Sequence, residues 1–187
     1  SVPQNIYNHP IRNKKIINNI KTIFSDTVKI NKDTIINETV IINPGTKFLI
    51  NENASIIFKN KVIANGTESN PIIFKQSVKN KPWGTIALQG KQTQNSLFKN
   101  VSFNGGSGDL INDINYTSMF SLHNTSDVIL KNIKMNNNFK YDDVIHLVYC
   151  NNIKLDNILI ENAFSDAIDI DISKNIIIKN SNFLNPK

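Results

Sequence analysis

A phrase of eight residues recurs near the C-terminus of this chain. Val128-Ile129-Leu130-Lys131-Asn132-Ile133-Lys134-Met135 returns as Ile153-Lys154-Leu155-Asp156-Asn157-Ile158-Leu159-Ile160, and again as Ile176-Ile177-Ile178-Lys179-Asn180-Ser181-Asn182-Phe183. A weaker copy stands at Phe98-Lys99-Asn100-Val101-Ser102-Phe103. The marker asparagines fall at 100, 132, 157 and 180, so the last two intervals are 25 and 23 residues. A near-constant period of this length implies stacked structural units.

Aligning the chain with itself sets a register. A shift of 23 places Asp143 on Asp166, Ile145 on Ile168, His146 on Asp169, Leu147 on Ile170 and Asn157 on Asn180. A shift of 25 places Phe120 on Ile145, Leu122 on Leu147 and Asn132 on Asn157. The preceding rung matches by 34 at Thr85-Ile86-Ala87-Leu88 and by 32 at Phe98-Lys99-Asn100. Its extra length falls between Asn104 and Thr117, where Gly105-Gly106-Ser107-Gly108 reads as a flexible, protruding excursion.

Each repeat is too short for a strand-helix-strand unit and carries no helical period. From Thr34 onward, short β-branched runs such as Thr39-Val40-Ile41-Ile42 and Ser55-Ile56-Ile57-Phe58 are bounded by Gly, Pro and Asn, the pattern of strands. No link between Thr34 and Phe74 reads as a two-residue hairpin. The expectation is an all-β coil of about seven turns, each strand pairing in parallel with its equivalent about 4.8 Å away. Equivalent asparagines then stack at a bend and hydrogen-bond along a ladder.

Residues 1–33 read as an N-terminal segment. Within it Ile16, Ile17, Ile20, Ile23 and Phe24 follow helical spacing, which predicts an amphipathic helix over about 13–24 capping the stack. Residues 34–187 read as the coil, continuing or capped beyond Lys187.

Composition adds less than placement. The chain has 32 Asn and 32 Ile among 187 residues, as an AT-rich coding sequence would produce. The net charge of +6 favours anionic partners, yet Arg12 is the sole arginine and no recognition helix or aromatic RNA-binding motif appears, so nucleic acid is not expected. Cys150 is the sole cysteine, which excludes an internal disulfide; its apolar setting predicts a buried hydrophobe. No apolar run is long enough to span a membrane.

Ile42-Asn43-Pro44-Gly45-Thr46, Val62-Ile63-Ala64-Asn65-Gly66-Thr67, Asn70-Pro71-Ile72-Ile73-Phe74 and Trp83-Gly84-Thr85-Ile86-Ala87-Leu88 together resemble right-handed parallel β-helix proteins of the pectate-lyase-like superfamily. Asp166-Ala167-Ile168-Asp169-Ile170-Asp171 resembles repeats of bacterial surface and secreted β-helix domains, some attached to CotH-type kinase-like proteins. The resemblance spans about residues 34 to 185 and implies a right-handed, single-stranded parallel β-helix in a bacterial envelope or secreted protein. Its lyase and polygalacturonase members carry catalytic sets that do not transfer here: Asp142-Asp143 matches one element, without Gly-His-Gly or Arg-x-Lys.

Register also assigns faces. If Ile145, Leu147, Ile168, Ile170 and Ile172 point inward, His146, Asp169 and Asp171 point outward. One outward column holds Ala87, Ser121, His146 and Asp169; a second holds Gln89, His123, Val148 and Asp171. Asp143 and Asp166 stack at the strand entrance beside Asp142. The candidate catalytic residues are therefore Asp143, His146, Asp166 and Asp169, and the candidate binding residues Trp83, Ser121, His123 and Asp171. Packed carboxylates raise one another's pKa or bind a hard cation such as Ca2+. The alternative is a solvated outer face, and Trp83, opening a strand, reads as packing more readily than as a sugar-stacking platform.

Two kinds of function follow from this pattern. One is a non-catalytic scaffold or glycan-binding domain of a longer protein, partnered by polysaccharide and by neighbouring domains. The other is a polysaccharide-active lyase, hydrolase or epimerase working on the Asp/His face. An adhesin or fibre domain is a third, weaker reading.

Overall fold

The computed structural model describes residues 21–184. Apart from one short 3-10 turn at Lys91–Thr93, its regular elements are all strands. The first level comprises β1 (Lys21–Phe24), β2 (Thr27–Ile30) and β3 (Thr34–Ile36); the second comprises β4 (Thr39–Ile42), β5 (Lys47–Ile50) and β6 (Ile56–Phe58). The third level holds β7 (Val62–Asn65), β8 (Ile72–Gln76) and β9 (Ile86–Gln89). In the fourth, β10 (Leu97–Asn104) is followed by an inserted pair, β11 (Asp109–Ile111) and β12 (Ile114–Tyr116), and then by β13 (Ser118–His123). The remaining strands are β14 (Ile129–Asn136), β15 (Asp143–Val148), β16 (Asn151–Glu161), β17 (Asp166–Asp171), β18 (Lys174–Lys179) and β19 (Asn182–Leu184).

Successive levels pair strand on equivalent strand, always in parallel. One sheet runs β1-β4-β7-β10-β14-β16-β18, with β2, β5, β8 and β19 joined to it; the other runs β3-β6-β9-β13-β15-β17. The self-alignment holds at the atomic level: Ile145 pairs with Ile168, His146 with Asp169, Phe120 with Ile145 and Phe98 with Leu130. Strand β10 bends at Asn100, so that its first half pairs with β7 and its second with β8.

The bend explains the asparagines. Asn100, Asn132, Asn157 and Asn180 all have φ between 51° and 58°, a left-handed conformation that Asn tolerates because its short amide bonds locally. Asn132 donates from Nδ2 to Asn100 Oδ1 at 2.9 Å, and Asn157 donates to Asn132 Oδ1 at 3.0 Å. Asn100 closes the ladder on the Gly66 carbonyl, whereas Asn180 turns to Asp156 Oδ1 instead. Of the non-glycine residues with positive φ among the described residues, all but Tyr149 and Ile172 are Asn or Asp.

Inward side chains fill one continuous core. Phe48, Phe74 and Phe103 stack level upon level, with ring centroids 4.4 and 5.0 Å apart, and Phe24 meets Phe48 edge-on. Cys150 is buried, as its apolar setting implied.

Two expectations change. The helix foreseen over 13–24 lies mostly outside the described residues, and the part inside, Lys21–Phe24, is strand β1: its backbone pairs in parallel with β4. The excursion after Asn104 is not a loose loop. Gly106 lies against Trp83, where an added Cβ would come within 2.5 Å of the indole ring, and Ser107 is buried. Beyond it, β11 and β12 form an antiparallel hairpin through Asn112-Asp113, whose φ values of 48° and 61° are those of a type I′ turn. The hairpin packs Ile111 and Tyr116 onto Ile57 and Ala87, covering outward positions that the register alone left in solvent.

Candidate functional site

The second sheet delivers three side chains to one spot. His146 on β15 and Asp169 on β17 are register partners, and Asp171 follows two residues later on the same face. His146 is 8% exposed. Its Nε2 lies 3.3 Å from Asp171 Oδ2 and 3.6 Å from Asp169 Oδ2, and both carboxylates are open to solvent on their far sides.

The other ring nitrogen is held from behind. His146 Nδ1 lies 2.8 Å from Thr117 Oγ1, and Thr117 donates its hydroxyl proton to Asp143 Oδ2 at 2.9 Å. With that proton committed, the Thr117 oxygen accepts from Nδ1–H. Asp143 is itself buried, and Asn138 Nδ2 caps its backbone carbonyl at 2.8 Å. Burial pushes the Asp143 carboxyl up to about 6; the Thr117 hydrogen bond and the nearby His146 oppose that rise, while Asp169 and Asp142 add to it. Carboxylate oxygens of Asp142, Asp143 and Asp166 approach within 4.8 Å of one another at the strand entrance.

The inserted hairpin forms the adjoining wall. Tyr116 stacks on His123 at 4.9 Å, and its hydroxyl donates to Gln89 Oε1 at 2.8 Å, an oxygen that also accepts from the Lys59 ammonium. Burial pushes the Tyr116 phenol up to about 12. His123 meets His146 edge-on at 5.7 Å, and its Nε2 is buried without a partner among the described residues. Burial, followed by the neighbouring His146, lowers the His123 pKa to about 4, so at neutral pH this imidazole is uncharged. At the same end of the hairpin, Asp109, the cross-strand partner of Tyr116, is pinned by Ser55 Oγ, which donates to Asp109 Oδ2 at 2.7 Å.

Of the residues singled out in the sequence, His146, Asp169 and Asp171 converge, Asp143 joins them through Thr117, and Asp166 lies beside Asp142 and Asp143. His123 is adjacent but turned under Tyr116. Trp83 and Ser121 do not face a ligand. Trp83 is fully buried, with Nε1 donating to the Asn104 carbonyl at 2.8 Å, so neither ring face is free for a sugar. Ser121 is enclosed, 2.7 Å from Ser118 Oγ. Thr117 and Tyr116 are the residues that sequence reasoning missed. Thr117 was findable in principle: it precedes Ser118, the partner of Asp143, and so stacks in the Asp142 column.

A second feature follows the asparagine ladder on the other sheet. A cleft of about 450 Å3 is lined by Thr67, Asn100, Ser102, Asn132, Lys134 and Asn157, with Leu159 and Asn182 further along. Ser102, Lys134, Leu159 and Asn182 are successive register partners, so the cleft runs along the stack for about 14 Å at the usual strand spacing. Its titratable groups are Glu68 and Lys134. Another cleft, of about 560 Å3, lies between Lys75–Asn80 and Phe139. No helix among the described residues is long and apolar enough to cross a membrane. Comparison of the chain with protein-family models, with curated proteins and with solved structures gives no match.

Proposed function

We propose that this chain is a right-handed parallel β-helix domain of pectate-lyase-like type, serving as a non-catalytic, glycan-binding scaffold in a larger bacterial envelope or secreted protein. The observation carrying this reading is the cleft along the asparagine ladder. Asparagine amides recur there at the spacing of the strands, beside the Thr67 and Ser102 hydroxyls, Lys134 and Glu68, which suits a linear polymer of hydroxyl-bearing units better than a compact ligand. The cleft itself carries one ammonium, Lys134, and one carboxylate, Glu68, so the preference for an acidic polysaccharide over a neutral one rests on the net charge of +6.

The test is a binding screen of acidic and neutral polysaccharides with the native domain, Lys134→Ala and Ser102→Leu. Both variants are expected to weaken acidic-glycan binding severalfold while the fold is retained. Binding that survives both substitutions unchanged would remove the cleft from consideration.

One observation favours a second reading, a polysaccharide-active enzyme. Burial raises the Asp143 carboxyl to about 6, and it connects through Thr117 to His146, an arrangement suited to general acid–base work. Chain cleavage by the native domain, lost in His146→Ala and Asp169→Ala, would favour it over the scaffold.

A further inference from the structure

Among the described residues, His146 Nε2 faces two carboxylate oxygens, Asp171 Oδ2 at the outer limit of a hydrogen bond and Asp169 Oδ2 just beyond it. A charge-assisted N–H···O contact closes to about 2.7–2.9 Å, yet the separations here are 3.3 and 3.6 Å. Those lengths match the edge of a coordination polyhedron: donors about 2.0 Å from a tetrahedral ion stand about 3.3 Å from one another. The three donor atoms all lie within 4.8 Å of each other.

Three further observations bear on the same spot. Thr117, whose hydroxyl is anchored on Asp143, holds His146 through Nδ1, so Nε2 is the ring nitrogen that faces the two carboxylates. An imidazole that ligates a metal through one nitrogen ordinarily has its other N–H held by just such an outer partner. The two carboxylates also lack a lysine partner among the described residues, in a chain of net charge +6 where Asp156 pairs with both Lys131 and Lys179. Finally, the donors come from two adjacent strands of one sheet, a frame that fixes their spacing before any ion arrives.

We propose that His146, Asp169 and Asp171 bind one divalent cation of the Zn2+ class, with Thr117 as a positioning residue. A nitrogen among three donors disfavours Ca2+, which takes six to eight oxygens. Three protein ligands leave a coordination position open toward solvent, where water or an anionic group of a ligand completes the shell. The proposal stands whether or not a glycan is the partner.

The test is titration of Zn2+ into the untagged, metal-free domain by calorimetry, with Co2+ absorption as the spectroscopic readout. One ion per chain is expected. Asp169→Asn and Asp171→Asn, which alter solvent-exposed side chains and leave the thermal transition of the metal-free protein in place, are each expected to weaken binding at least tenfold. Thr117→Val is expected to weaken it about tenfold or more, with Thr117→Ser restoring it. The Asp142→Asn/Asp166→Asn double variant is expected to bind like the native protein. Absence of a stoichiometric ion, native affinity in Asp169→Asn and Asp171→Asn, loss in the Asp142/Asp166 variant instead, or displacement of Zn2+ by equimolar Ca2+ would each overturn the proposal.

Discussion

The Thr117 hydroxyl joins two titratable side chains, lying 2.8 Å from His146 Nδ1 and donating to Asp143 Oδ2 at 2.9 Å. Removing it leaves a buried carboxylate without a donor. In metal-free Thr117→Val, the Asp143 carboxyl is expected to titrate above its native value of about 6, with stability at neutral pH lower by about 1–3 kcal/mol. A 13C NMR titration and urea unfolding read the two effects; an unmoved carboxyl titration would rule out the hydrogen bond.

His123 and Asp143 oppose each other in acid. The unfolded His123 takes up a proton near 6.5 and the folded one only near 4, so its contribution to stability is lost as pH falls through that window. Asp143 does the reverse. Its folded carboxyl protonates near 6 and its unfolded one near 3.8, so its contribution grows as pH falls. Between pH 4 and 6 the two slopes largely cancel. Asp143→Asn is therefore expected to lose on the order of 2 kcal/mol on acidification across this range, whereas His123→Gln gains stability. Parallel slopes in the two variants would contradict the assignment.

Asn132 combines a left-handed backbone with two ladder hydrogen bonds. Asn132→Ala forfeits both features and is expected to destabilise by about 2–3 kcal/mol. Asn132→Gly keeps the backbone freedom and is expected to be the milder change. Urea midpoints compared at equal slope distinguish them.

Tyr149 and Ile172 occupy the corner that Gly90 and Asn124 hold on earlier levels, all with positive φ. Neither side chain suits it, and Ile172 is 74% exposed, so little packing offsets the strain. Ile172→Asn is expected to stabilise by about 1 kcal/mol, a rise of about 2–4 °C in Tm for a chain of this size. A fall in Tm would show that the isoleucine contributes packing not evident from its exposure.

The stack was legible because its information is repeated. Ile145, Leu147, Ile168 and Ile170 announce one strand position several times over, and self-alignment averages out local ambiguity. The hairpin occurs once. Asn112-Asp113 between Ile111 and Ile114 is a readable turn, but nothing local says that Tyr116 will lie over His123 or Ile111 over Ile57. Trp83 illustrates the same limit, since its burial depends on Gly106, far along the chain. At the site, alternation placed His146, Asp169 and Asp171 on one face, while the link from Asp143 required Thr117, a residue with no pattern of its own.

The chain leaves the stack after Asn104 and returns at Ser118 in step, with β9 still facing β13 and β10 still facing β14. Whatever the hairpin does is therefore decoupled from what supports it. The levels act as a chassis, and the link beyond Gly106 is a socket where a new wall can be grafted beside His146 without changing which strands pair. The part of this molecule that shapes the approach to His146 is thus one that the strand register does not depend on.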